Sequence, residues 1–173
     1  TSSASVSAMQ ALRPWLRAPR VLAHVALGVL LALAVLAEGG RRLPRERLAG
    51  WWFARLLRIF RVRMLVRGSG LAGSRVLVAN HVSWLDIPVL GALERTRFVA
   101  KSEIRDWPVA GWLARGAGAF FIRRGRGGAR PLLDSTLPHL RAGGSFLFFP
   151  EGTTTDGRDV LPFHARLFAA AAE

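Results

Sequence analysis

The sequence predicts an α/β fold, a mixed sheet flanked by helices, preceded by a membrane-anchoring helical region. Three observations carry this reading. Short apolar runs at 75–79, 97–100, 119–122 and 145–149 alternate with stretches of helical character near 84–95, 105–115 and 130–141, as in an α/β unit. Phe146-Leu147-Phe148-Phe149 is apolar without a break, as strands covered on both faces are. Residues 21–37 carry no charge at all.

Composition narrows the class before any motif is read. At 173 residues the chain has room for one domain with a real core plus an appendage, not for two domains. Its net charge of +14 is nearly all arginine, since Lys101 is the sole lysine, while 51% of residues are hydrophobic. A chain both apolar and cationic suits anionic lipid better than nucleic acid, whose binders carry their basic residues on a polar background. No nucleic-acid partner is expected. Without cysteine there is no disulfide, thiol nucleophile or thiolate zinc site, and the histidines at 24, 81, 139 and 164 are scattered, so no metal is expected.

Residues 1–12 are Ser/Ala-rich and uncharged and are assigned no structure; the missing initiator methionine points to residues upstream. Residues 21–37 lie between Arg20 and Glu38 and as a helix span about 25 Å, the short end of what a bilayer requires. A buried helix and a signal-like segment are the competing readings. No small-x-small cleavage site follows, only Arg41, Arg42, Arg45 and Arg47, so an uncleaved anchor is expected. Arginines 13, 17 and 20 on the other flank leave its orientation unassigned.

Residues 50–67 repeat arginine at 55, 58 and 61 and carry Trp51, Trp52 and Phe53. This is the make-up of an interfacial helix, with rings at headgroup level and guanidiniums toward lipid phosphates. The plainer alternative is a packing helix with a solvated basic face. Gly68-Ser69-Gly70 closes the region, which puts the anchor and interfacial helix in 1–67 and the α/β domain in 68–173.

Functional groups in such a sheet gather beyond strand ends, and two stretches fit. In Val78-Ala79-Asn80-His81-Val82-Ser83-Trp84-Leu85-Asp86 an apolar run stops at a histidine, and an aspartate follows five residues later. A nearby carboxylate fixes an imidazole's tautomer and stabilises its charged form, as a general base requires. On one regular helix the two side chains would point roughly 140° apart, so His81 is expected before the helix and Asp86 in its first turn. Ser83 with Asp86 resembles a capping box, and Pro88 is tolerated only near a helix start.

The second stretch is Phe149-Pro150-Glu151-Gly152-Thr153-Thr154-Thr155-Asp156-Gly157, a strand running into a carboxylate and small polar residues. Gly152 permits unusual backbone angles, and the threonines offer hydroxyls and amides that could hold a headgroup or orient Glu151. Taken alone, it reads equally well as a loop that turns a corner.

Together the two stretches resemble the glycerolipid acyltransferase family of the lysophosphatidic acid acyltransferase type, whose signature is Asn-His-x-x-x-x-Asp followed by Phe-Pro-Glu-Gly. Asn80-His81 with Asp86 matches the first block, and Phe121-Ile122-Arg123-Arg124 looks like the second. Phe149-Pro150-Glu151-Gly152-Thr153 matches the third, and Lys101-Ser102-Glu103 is similar to a Lys-x-Glu segment between the first two; the resemblance covers roughly 71–168. It implies transfer of a fatty acyl group from acyl-CoA or acyl carrier protein to the free hydroxyl of a lysolipid at the membrane face, with no acyl-enzyme and no further cofactor. By it His81 is the general base and Asp86 its orienting partner. Asn80, Lys101, Arg124, Glu151, Gly152, Thr153 and Thr154 would contact substrate, with Lys101 and Arg124 placing positive charge near an acceptor phosphate. It further implies a bacterial inner-membrane enzyme whose catalytic domain faces the cytoplasm.

Two departures bear on substrate and extent. Phosphate-acceptor members commonly read Phe-Pro-Glu-Gly-Thr-Arg, but here Thr154 stands at the arginine position. That missing cation resembles bacterial relatives acting on lyso-ornithine lipid; on motifs alone lysophosphatidate is kept ahead, with phosphatidic acid as product. The family also continues into a Val-Pro-containing strand, so the domain is expected to be truncated at its C-terminal end. A lipid hydrolase is disfavoured because no Gly-x-Ser-x-Gly elbow occurs. A non-catalytic basic membrane-surface protein is the other alternative.

Overall fold

The computed structural model describes residues 2–123, 130–165 and 168, with side chains from residue 17 onward. Strands β1 (Val76–Val78), β2 (Arg97–Lys101), β3 (Phe120–Ile122) and β4 (Phe146–Phe148) fall on the four apolar runs. They make one sheet in the order β1-β4-β2-β3, and every pairing is parallel. The antiparallel partner that a mixed sheet requires is absent among the described residues. Helical segments between consecutive strands return the chain to the same end of the sheet each time, which dictates parallel neighbours. β4 is inserted between β1 and β2, and Phe146, Leu147 and Phe148 are all buried, which accounts for the unbroken apolar run. Phe146 and Phe148 centre a core that includes Val76, Val99, Phe120, Leu133 and Leu140.

The helices are α1 (Ser2–Ala37), α2 (Arg45–Phe60), α3 (Asp86–Leu93), α4 (Ala110–Gly116) and α5 (Arg130–Arg141). Three differ from expectation. α1 takes in residues 2–12, because an alanine-rich segment extends a helix whose nucleus already exists downstream. α2 begins before residue 50 and stops well short of 67: Arg61 adopts a left-handed conformation (φ 57°), and the Arg61 and Val62 amides donate to the Arg58 and Leu57 carbonyls, a Schellman ending. The helix expected at 105–115 is divided into a 3-10 segment, Ser102–Asp106, and α4. Pro108 disfavours helical geometry in the residue before it, and Val109 has a positive φ of 63°.

α1 turns a face of small residues inward and a face of leucines outward. His24, Gly28, Ala32 and Val35 are buried, one face at helical spacing, while Leu22 and Leu30 are 69% and 65% exposed. Gly28 leaves room for the Trp52 ring, and Gly116 of α4 lies where a Cβ would strike Ala32. His24 Nε2 donates to the Trp52 carbonyl (3.0 Å), and Trp52 Nε1 donates to the His24 carbonyl (2.9 Å). Phe53 packs edge-on against Phe98, 6.2 Å between centroids. Trp52 and Phe53 therefore join α2 to α1 and the sheet and are not free to sit at headgroup level; Trp51 is the exposed ring of the three.

α2 is also tied to the sheet by Arg97 Nε, which donates to Glu46 Oε1 at 2.7 Å. Burial by itself would raise the Glu46 pKa, but the Arg97 hydrogen bond, its own backbone amide and the charges of Arg97 and His139 hold it below the ordinary value. His139 on α5 is pushed below the ordinary imidazole value by burial and by the charges of Arg97 and Arg45, against its hydrogen bond to Ser145 and the charge of Glu46. Both groups bind fewer protons folded than unfolded during acidification. Their stabilisation is complete above the ordinary imidazole value of 6.5; the His139 share is lost as pH falls below that, and the Glu46 share as pH falls below 4.5. The melting temperature should therefore drop between about pH 7 and about pH 5, and His139→Gln should flatten that part of the profile; an unflattened profile would refute the assignment.

Candidate active site

Because all the strands run the same way, the segments following β1, β2, β3 and β4 leave the sheet at one edge. β1 and β4 are neighbours, and their pairing brings His81 to Glu151 across 70 sequence positions: the His81 amide donates to Glu151 Oε1 at 3.1 Å. The other oxygen of Glu151 accepts the Leu161 amide at 2.9 Å. The Thr155 amide donates to the His81 carbonyl, also at 2.9 Å. The main chain of His81 is thus held through both its amide and its carbonyl by the segment after β4.

Asp86 opens α3, and His81 precedes it outside the helix. Asp86 Oδ2 accepts from His81 Nδ1 (2.8 Å), from the Val82 amide (2.7 Å) and from the Ser83 amide (2.8 Å). One carboxylate at a helix start therefore closes the whole 81–86 turn, where the helix dipole favours its charge. Half of the capping box is made. Asp86 reaches back to the Ser83 amide, but the Ser83 hydroxyl accepts from Leu85 (3.1 Å) and the Asp86 amide donates to the Ser83 carbonyl. The imidazole stacks on Phe149, 4.0 Å between centroids and 13° from parallel. With Nδ1–H donating to the carboxylate, Nε2 is left to accept a proton, and it has no hydrogen-bond partner among the described residues.

The other expected site residues divide into three groups. Asn80, Lys101, Thr153 and Thr154 are exposed near the same edge, and Gly152 turns the chain with a φ of 69°. Arg124 lies outside the described residues. Glu151, expected to contact substrate, is 4% exposed, and each of its oxygens accepts a backbone amide, one of them that of His81. Sequence reasoning passed over Leu161 and took Phe149 and Thr155 only as parts of the 149–157 stretch; the three contribute a ring face and two main-chain amides. Phe149 and Thr155 lie within the suggestive 149–157 stretch, whereas the Leu161 amide carries no signal in the sequence.

An apolar cavity of about 330 Å³ lies among α1, α2, α3 and α4, lined by Gly28, Trp52, Leu56, Trp84, Ile87 and Leu113 among others. Trp84 belongs to the His81–Asp86 turn and Ile87 follows it directly, so the cavity reaches the histidine's own loop.

The acyltransferase family model matches residues 47–173. The chain belongs to this family. A lyso-ornithine lipid O-acyltransferase of Pseudomonas aeruginosa is 46% identical over 172 residues, covering 95% of this chain and 66% of that protein. A 1-acyl-sn-glycerol-3-phosphate acyltransferase of Neisseria meningitidis is 42% identical over 97 residues, 56% of this chain and 38% of its own length. The crystal structure of the 1-acyl-sn-glycerophosphate (LPA) acyltransferase of Thermotoga maritima superimposes with a TM-score of 0.61 at 25% identity, covering 90% of this chain and 70% of that one. The chain thus spans less than two thirds of either of these two curated relatives, and it shares with the crystal structure a helix-flanked sheet.

Proposed function

We propose that the full-length protein is a membrane-associated lysolipid O-acyltransferase that moves a fatty acyl group from acyl-CoA or acyl carrier protein to a lysolipid hydroxyl. The observation that carries this reading is the 2.8 Å contact of His81 Nδ1 with Asp86 at the carboxyl edge of the sheet. Nε2 takes the hydroxyl proton as the oxygen attacks the thioester carbonyl. The tetrahedral adduct then collapses, the carbon–sulfur bond breaks, and the imidazolium returns the proton to the departing thiolate. Asp86 accepts the Nδ1–H throughout and stabilises the charged ring. The apolar cavity next to Trp84 takes a fatty chain.

For the acceptor, lyso-ornithine lipid goes first. Thr154 removes the cation a phosphate acceptor would use, and relatives in Pseudomonas aeruginosa, Rhodobacter capsulatus and Brucella abortus bear that activity in their names. Lysophosphatidate, which the motifs alone keep ahead, is the second reading, favoured by the Neisseria and Thermotoga proteins. Among the described residues Arg17–Ala37 is long and apolar enough to cross a membrane, and its exposed leucines suit lipid contact. Trp51, with Arg55 5.7 Å over its ring, would lie at the interface. The reading puts the protein in a bacterial inner membrane with its catalytic edge toward the cytoplasm.

The decisive assay pairs acyl-CoA and acyl carrier protein donors with lyso-ornithine lipid and lysophosphatidate. Thioester consumption should require a lysolipid, with the higher kcat/KM on lyso-ornithine lipid. Transfer to neither acceptor would overturn the function, and a preference for lysophosphatidate would reverse the order of acceptors.

A further inference from the structure

A second cavity, unused by the chemistry above, opens at the same edge of the sheet. It measures about 870 Å³ and is lined by Glu103, Arg105, Asp106, Arg115, Phe121 and Arg123 together with Ser102. Its walls come from the 3-10 segment after β2, from α4, and from β3 and the residue following it. Lys101 and Ile122 are paired across β2 and β3, so these walls rise side by side. Only β4 separates β2 from β1, the strand that leads to His81, and two strand spacings are about 10 Å.

The charges around this cavity are of both signs and are held apart. Three guanidiniums and two carboxylates line it, yet none of the five takes part in an ion pair among the described residues. A site built for a phosphate would gather cations and keep carboxylates away, because like charges across a contact are costly. Glu103 is well suited to remain an anion. Its own backbone amide and the Ser102 hydroxyl, with the charges of Lys101 and Arg123, hold it below the ordinary carboxylate value despite some desolvation.

We infer that this cavity receives a zwitterionic ornithine headgroup, with Arg105 and Arg115 facing the α-carboxylate and Glu103 and Asp106 the side-chain ammonium. The inference rests on lyso-ornithine lipid being the acceptor. Once the α-nitrogen is bound in the amide, those two groups are the charges the headgroup has left. A guanidinium fork matches a carboxylate, and Phe121 underlies the methylenes between the two charges. From a hydroxyl on the third carbon of the amide-linked chain to the ammonium is about nine bonds, roughly 11 Å when extended. That exceeds the roughly 10 Å between β1 and β2, so one extended acceptor is long enough to run from the end of β1, which His81 follows, to the segment after β2 that carries Glu103.

The test uses the full-length protein in mixed micelles with lyso-ornithine lipid and its derivative acetylated on the side-chain amine. Acetylation should raise the wild-type KM about tenfold with little change in kcat. The doubly substituted variant Glu103→Gln, Asp106→Asn should show a raised KM for the native acceptor and almost no further loss on acetylation. Arg115→Ala should raise KM for both forms. Equal use of the free and acetylated acceptors by the wild type would overturn the headgroup site and leave the acceptor reading standing. Wild-type transfer to lysophosphatidate but not to lyso-ornithine lipid would instead overturn the acceptor reading and the inference with it. The wild-type comparison can overturn the site even if a variant fails to fold, and the variants tie the recognition to this cavity.

Discussion

His81→Ala is expected to lower kcat/KM for acyl transfer by about 10²- to 10⁴-fold, the usual worth of a positioned general base, while the protein stays folded and bound to lipid. The imidazole has one nitrogen committed to Asp86 and one face committed to Phe149, so truncation removes the proton acceptor without opening the buried core around β4. Residual turnover would come from placing thioester and hydroxyl together. The measurement is single-turnover acyl transfer with a vesicle flotation control. Unchanged turnover would remove His81 from the mechanism, and loss of flotation would show that the substitution had damaged more than the base.

The His81–Asp86 turn was legible in sequence because both partners lie within one turn of chain. Five residues that cannot face each other on a helix must straddle its start, and the strand before them ends at an apolar boundary. The strand positions were legible for a similar reason, since Phe146-Leu147-Phe148 has no polar residue to expose. Sheet order was not. Nothing local to 146–148 says that β4 enters between β1 and β2, yet that insertion is what joins Glu151 to His81. The role of α2 was ambiguous because an interfacial helix and a packing helix share a composition. What decides between them is distant: Gly28 on α1 and Gly91 on α3 leave the space that Trp52 and Phe53 fill. Glu151 stood out as a carboxylate in a suggestive loop, but its function depends on which amides meet its two oxygens, one of them ten residues downstream.

Glu151→Gln is expected to act through His81 without touching substrate. The carboxylate accepts two backbone amides in a buried position, whereas the amide side chain offers one acceptor oxygen and turns an NH₂ toward the other donor. One of the two amides, His81 or Leu161, is left unsatisfied, a loss of about 1–3 kcal/mol, visible as an earlier denaturant midpoint. If the freed amide is that of His81, the main chain carrying the base shifts. A displacement on the order of 1 Å can cost up to about a hundredfold in rate. The signature is therefore a fall in kcat accompanied by lowered stability, with KM for the lysolipid little changed. A headgroup contact would behave in the opposite way, with KM rising and the denaturant midpoint unmoved, and that result would return Glu151 to the substrate surface. The comparison with His81→Ala adds a second discrimination. If Glu151 works only by holding His81, combining the two substitutions should slow transfer no further than His81→Ala alone, because once the base is gone there is nothing left for the carboxylate to position.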